Sequence, residues 1–371
     1  MPPRHLYVHV PFCARRCSYC DFSIAVRRDV PVADYIGGVR RELELQNRAH
    51  EPLTLDTLYL GGGTPSRLGG EGVAALLRTI GDYATWDASA EITIEANPDD
   101  VNAEAARAWH AAGVNRVSLG AQSFDQSALE WMRRTHDATQ IGHAVGLLRE
   151  AGIREISIDL IFALPQSVPR SWESDLVQAL SLRPDHLSVY GLTVEPHTPL
   201  GRWRDRGDVA ESPDTNYEQD FLLAHSMLVA AGYEHYEVSN YALPGARARH
   251  NSSYWRHVPY AALGPSAHRF DGARRSWNVA PYAEWLRRVS EAVDPTEGSE
   301  TLTADELESE RTYIGLRTTD GLVVTGELEA RTSRWRDAGW ATIVDHRLRL
   351  TPLGWLRLDS LAVDLTLAGS R

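Results

Sequence analysis

The sequence predicts an α/β protein: a parallel sheet curled into a partly open (β/α)6 barrel, followed by a small C-terminal helical domain of winged-helix type. Three observations carry this. Short apolar runs alternate with longer amphipathic stretches as far as about residue 194. The runs number six, which suits an open barrel better than a closed one of eight. From about residue 303 the rhythm changes to two helix-like stretches and a pair of short strands.

The elements follow in order. The predicted strands are LYVHV (6–10), TLYLG (57–61), EITIEA (91–96), RVSLG (116–120), EISIDLIF (155–162) and HLSVYGL (186–192). Each is rich in β-branched or aromatic residues and no longer than a strand should be. Their nearly continuous apolar character marks a parallel sheet covered by helices. Helices are expected over 32–48, 70–83, 102–112, 139–151 and 171–182. Gly113 and Gly152 stop two of these and Pro184 a third. A Pro-, Gly- and Arg-rich region begins near Ala242. Beyond it, helices over 304–316 and 326–338 precede strands in ATIVDHRLRLT (341–351). The expected segments are therefore 1–245, 246–300 and 301–371.

Composition narrows the function. The 371 residues carry a net charge of −12 with His neutral, which argues against a nucleic-acid binder. The first ten residues hold no long apolar segment of a secretory signal, and no apolar run approaches the ~20 residues that span a bilayer. Three closely spaced cysteines do not make a disulfide framework, so a reducing cytoplasm is expected.

Chemistry in such barrels sits past the C-terminal ends of the strands. Unusual residues fall there: a cysteine loop after the first strand, GGGTP (61–65) after the second, then Glu95, Asn97, Gln122 and Asp159. The loop HVPFCARRCSYCDF (9–22) holds every cysteine of the chain, Cys13, Cys17 and Cys20. Three readings compete. Small core thiols are disfavoured by Pro11 and the polar residues between the cysteines. A structural zinc would need a fourth ligand such as His9. A four-iron cluster held by three thiolates leaves one iron open to a small molecule.

The spacing Cys-x3-Cys-x2-Cys, with Tyr19 before the last cysteine, resembles the signature of radical S-adenosylmethionine (SAM) proteins. The resemblance implies a [4Fe–4S] cluster on Cys13, Cys17 and Cys20, with SAM chelating the open iron and cleaved by one electron. It extends along most of the chain to the branch that contains the oxygen-independent coproporphyrinogen III oxidase. In that branch SAM is held at positions matching Tyr7, Gly63, Thr64, Glu95, Gln122, Arg134 and Asp159, and less securely at Thr193 and His268. Arg134 suits a carboxylate, and Glu95 and Asp159 suit hydroxyl or ammonium groups. The branch also contains a haem chaperone, and two departures favour it over the oxidase. Phe22 stands where the oxidase has a fourth cysteine, and six residues precede Tyr7 where the oxidase has a long extension.

The stretch RHNSSYW (249–255) reproduces the H-N-x-x-Y-W motif of the chaperone, tied there to haem binding with the histidine, here His250, as candidate axial ligand. Imidazole suits iron, and Tyr254 and Trp255 offer flat apolar surface. Arg247, Arg249, Arg256, His257, Arg269, Arg274 and Arg275 cluster in the same region, as a solvated basic loop or as partners for propionates. The expected function is thus a haem chaperone without assigned catalytic residues, with the coproporphyrinogen III dehydrogenase as the alternative. Its expected partners are haem and haem-accepting proteins, membrane-bound ones included. A homodimer and a peripheral membrane position are left open.

Overall fold

The computed structural model describes residues 2–46 and 52–368. All six predicted strands form: β1 (His5–Val10), β2 (Thr57–Gly62), β3 (Glu91–Ala96), β4 (Arg116–Gln122), β5 (Glu155–Phe162) and β6 (His186–Gly191). They are parallel and adjacent in chain order. The sheet is wider than expected. A three-residue strand, Ala261–Leu263, adds in parallel beyond β1. Beyond β6 an antiparallel pair, Asn240–Ala242 and Glu234–Glu237, closes the other side and brings the total to nine strands. Among the described residues no ladder joins the two edges, so the barrel is partial.

The helices alternate with the strands: α1 (Val32–Gln46), α2 (Gly69–Gly81), α3 (Ala103–Ala111), α4 (Gln126–Trp131), α5 (Ala138–Glu150) and α6 (Trp172–Ser181). Asn47 and Arg48, expected in the first helix, lie outside the described residues. Side-chain caps set several starts. Asn102 accepts from the amide of Ala105, Asp137 forms a capping box with Gln140, and Ser171 accepts from the amide of Ser174. Helices α7 (Pro199–Asp205) and α8 (Asp214–Ala230) lie where the sequence pattern singled out none. Helix α9 (Arg249–Trp255) carries the H-N-x-x-Y-W stretch, and α10 (Tyr282–Ser290) packs on α1.

Residues 268–301 form a three-stranded antiparallel sheet, and residues 304–368 combine α11 (Ala304–Arg317) with shorter helices and another three-stranded sheet. The helix expected over 326–338 is split at Thr332, whose hydroxyl donates back to the carbonyl of Leu328. Arg317 of α11 pairs with the buried Glu237 and covers the ring of Trp255.

The strands are apolar mainly on their outer face. Val8, Leu58, Leu60, Ile92, Ile94, Val117, Leu119, Ile156, Ile158 and Leu187 are buried in the core. The alternate positions are polar and face the lumen: Tyr7 and His9; Thr57 and Tyr59; Glu91, Thr93 and Glu95; Arg116 and Ser118; Ser157 and Asp159; His186 and Ser188. Barrel interiors are more often filled by branched apolar side chains. Here hydrogen bonds fill the space.

Candidate functional site

One cavity of about 430 Å³ opens at the C-terminal ends of the strands and runs down into the lumen. Cys13, Cys17 and Cys20 line its mouth together with Tyr19, Phe22, Gly63, Thr64, Asn97, Gln122 and Arg134. Glu95 and Asp159 lie within it, and Tyr59, Arg116, Ser118 and Asn251 line it too. The structure thus brings together ten of the residues assigned in the sequence to cluster or SAM, Thr193 among them.

The loop is built to present its thiols. Cys13 Sγ lies 3.4 Å from Thr64 Oγ1, and Arg134 Nη1 donates to Cys17 Sγ at 3.4 Å. Burial pushes the Cys13 thiol up, and the Cys20 thiol to about 11, so anything that takes these sulfurs as thiolates must displace protons. The zinc reading with His9 loses its fourth ligand. His9 is buried with both ring nitrogens engaged, Nδ1 3.1 Å from the Tyr7 hydroxyl and Nε2 2.9 Å from the Ser23 carbonyl. Among the described residues no group of three His, Cys, Asp or Glu side chains is gathered closely enough to hold one metal ion. A four-iron cube takes its thiolates at separate corners and does not need that gathering.

Arg134 is anchored by Asn97 Oδ1 at 2.5 Å and the Gly120 carbonyl at 2.9 Å. Burial opposes its charge, but Tyr19 and Cys17 outweigh burial and hold it protonated. Gln122 ends β4 with φ of +67°, a left-handed conformation that costs a non-glycine residue and aims its side chain into the cavity. Gly120 leaves the room: a Cβ there would stand 3.0 Å from Gln122 Nε2 and 3.2 Å from Arg134 Nη2. In GGGTP the glycines also answer to the chain itself. Gly62 has φ of +108°, and a Cβ on Gly63 would meet the Pro11 carbonyl carbon at 2.7 Å.

Glu95 accepts from the Tyr59 hydroxyl at 2.8 Å and the Gly62 amide at 3.0 Å, while burial pushes its carboxyl up to about 7. Asp159 accepts from Ser118 at 3.0 Å and from Ser157 at 3.3 Å, and burial raises it as well. From Ser157 the chain continues through His186 to the Tyr236 hydroxyl, each step 2.8 Å. Tyr236 in turn accepts from the Ala248 amide just before α9.

Three expected residues stand elsewhere, among them His268, which is exposed. Tyr7 is one layer behind the cavity wall, its ring stacked on Tyr59 at 6.2 Å. His250 lies beneath the cavity, 1% exposed. Its Nδ1 is 2.7 Å from Thr57 Oγ1, its Nε2 is 2.8 Å from the Tyr254 hydroxyl, and its ring stacks on Tyr59 at 5.1 Å. Desolvation lowers its pKa to about 3. Glu91 accepts from the amides of Arg249 at 2.7 Å and His250 at 2.9 Å, seating α9 against the N-terminal ends of β2 and β3. The expected basic patch is dispersed: Arg247 pairs with Glu234, Arg249 donates to the Ser89 carbonyl, and His257 and Arg275 share Glu310.

Tyr59, Arg116 and Ser118 were not singled out in the sequence. All three share a strand face with Glu95 or Asp159 across the ladder, and period-2 counting from those residues would have found them. Asn251 is the second residue of the H-N-x-x-Y-W motif, and the structure adds its place in the cavity lining.

Residues 7–176 match the Radical SAM superfamily. The chain is 35% identical over 373 aligned positions to a Mycobacterium tuberculosis protein described as heme chaperone HemW, covering 99% of this chain and 95% of that one. A Synechocystis protein of the same description is 36% identical, covering 86% and 79%, and one from Bacillus subtilis 33%, covering 85% and 84%. Among solved structures, Escherichia coli coproporphyrinogen III oxidase HemN superposes with a TM-score of 0.83 at 22% identity, over 99% of this chain and 91% of that one.

Proposed function

The chain belongs to the HemW branch of the radical SAM superfamily, and from that membership we propose that it is a haem chaperone that holds a [4Fe–4S] cluster, SAM and haem and passes haem to acceptor proteins. The observation that carries this reading is the cavity with three thiols at its mouth, in a chain that has no fourth cysteine.

The residues present fit the two inorganic and nucleoside cofactors. Cys13, Cys17 and Cys20 would hold three irons. Gly63, Thr64, Glu95, Gln122, Arg134 and Asp159 would hold SAM. Bound together, the pair supplies one-electron cleavage of a sulfonium. The chain's own part is to place and shield. Arg134 sets a positive charge beside Cys17 and can receive a carboxylate there. Glu95, held by Tyr59 and the Gly62 amide, keeps an acceptor pointed into the cavity.

Haem belongs, in this reading, to the segment 246–300. With α9 seated, His250 has no free nitrogen for an iron, so axial ligation by His250 goes with release of α9 from the barrel floor. The exposed histidine of the segment is His268, stacked on Trp277 at 5.8 Å. Acceptors would be haemoproteins, membrane-bound ones included. No helix among the described residues is long and apolar enough to cross a membrane.

The test is haem titration of the cluster-loaded chain, reading the Soret band, with His250→Ala and His268→Ala alongside. A changed Soret band in His250→Ala identifies the ligand and the release of α9. A change only in His268→Ala moves the ligand to the surface. No saturable haem binding by the unsubstituted chain would overturn the chaperone reading.

A further inference from the structure

Helix α9 is gripped from outside as well as seated from below. Its end is a Schellman motif: the amide of His257 donates to the Tyr254 carbonyl at 3.0 Å, and that of Val258 to the Ser253 carbonyl at 3.3 Å. The left-handed residue of such a motif is usually glycine. Here it is His257, with φ of +55°, a conformation that costs a residue with a Cβ. Two contacts hold it there. Its Nε2 lies 2.9 Å from Glu310 Oε2, and its ring packs on Phe270 at 4.6 Å. Arg275 fixes the same carboxylate oxygen at 2.5 Å.

Glu310 belongs to α11, and so does Arg317, seven residues and about two turns further along the same face. The Arg317 guanidinium lies over the ring of Trp255, the last residue of α9, at 4.5 Å. Its Nε pairs with Glu237 Oε2 at 3.0 Å, and the Glu237 side chain is fully buried. The indole N–H of Trp255 is buried without an acceptor, so the seated ring carries a penalty that its other contacts must offset. A helix held down against a strained end and an unmet donor is poised to lift.

We propose that α11 is the latch of α9: Glu310 and Arg317 grip its C-terminal end, and loss of that grip is the step that frees His250 for iron. This rests on the haem reading above and gives the C-terminal domain a regulatory part in it. Glu310 and Arg317 are positioning residues that act through α9. A ligand that binds only the lifted form gains affinity in proportion to the lifted fraction. Loosening the latch therefore strengthens haem binding, whereas damage to a haem contact would weaken it.

The experiment is hydrogen exchange of the cluster-loaded full chain, followed by haem titration, with Glu310→Gln, Arg317→Met and the pair Arg317→Met with Glu237→Gln. The pair is included because Arg317→Met alone strands a buried carboxylate. In each variant the amides of α9, those of Arg249 and His250 included, are expected to exchange about tenfold faster, the scale of one lost contact to a cation. Apparent haem affinity should rise by the same factor, with exchange in β2 and β3 unchanged. Should the Arg317 variants fail to fold, Glu310→Gln decides alone, its side chain being partly exposed. Unchanged exchange in α9, acceleration spread evenly over the barrel strands, or weaker haem binding in every variant would overturn the latch. No saturable haem binding by the unsubstituted chain would overturn the haem reading, while exchange in α9 would still judge the latch.

Discussion

Cys17 sits at the mouth of the cavity, and Arg134 donates to its sulfur. The chain offers no other cysteine to replace it. Cys17→Ala should abolish four-iron loading on reconstitution, as read by iron and acid-labile sulfide, and full loading would remove the cluster assignment. His250 makes a different prediction, for stability against pH. Burial holds it near 3 in the folded chain, against about 6.5 unfolded. Below pH ~6.5 the unfolded chain takes a proton that the folded chain refuses, so the stabilisation present above 6.5 drains away as pH falls, by about 1.4 kcal/mol per pH unit. Glu42 and Glu95, pushed up to about 7, act oppositely between 7 and 4.5 because the folded chain binds their protons first. The His250 contribution is isolated by difference. His250→Gln should flatten the acid side of a urea-unfolding profile by one proton between pH 6.5 and 4.

Helix α9 is held by a carboxylate at its start as much as by its side chains. Glu91→Ala removes the acceptor of two amides, the part-buried one of Arg249 and the buried one of His250. It should cost about 2–3 kcal/mol, the range for hydrogen bonds to charged groups, with Glu91→Gln recovering part in the same denaturant titration. At this scale the limits of sequence reading also show. The six barrel strands, the caps at Asn102 and Ser171 and the cysteine loop all announce themselves through local pattern. Ala261–Leu263 does not, because three residues carry no period and pair with a strand more than 250 positions away. Nor does the burial of His250: a histidine after two arginines in a Gly- and Pro-rich stretch reads as exposed loop. Only Thr57 and Glu91, on strands far upstream, turn it inward. Cavity residues at strand ends were legible, whereas that Asn251, part of a helix motif, lines the same cavity as the strand residues shows only in the assembled barrel.

For the molecule as a whole, a fold shared with the oxidase does not by itself imply the oxidase's chemistry. Phe22, 63% exposed at the cavity rim, brings no thiol to that position. Under reducing, anoxic conditions with SAM, chromatography should find no conversion of coproporphyrinogen III to protoporphyrinogen IX, and turnover would favour the oxidase reading. The polar lumen has a consequence of another kind. Unfolding an apolar barrel interior raises heat capacity, whereas exposing hydroxyls, carboxylates and imidazoles lowers it. A barrel whose inner surface is Thr57, Glu91, Thr93, Ser118, Ser157 and His186 subtracts from the heat-capacity change that its outer apolar shell adds. Its stability then varies less steeply with temperature, and the curve is broader on both its warm and its cold flank than that of a barrel of equal size filled with valine and leucine.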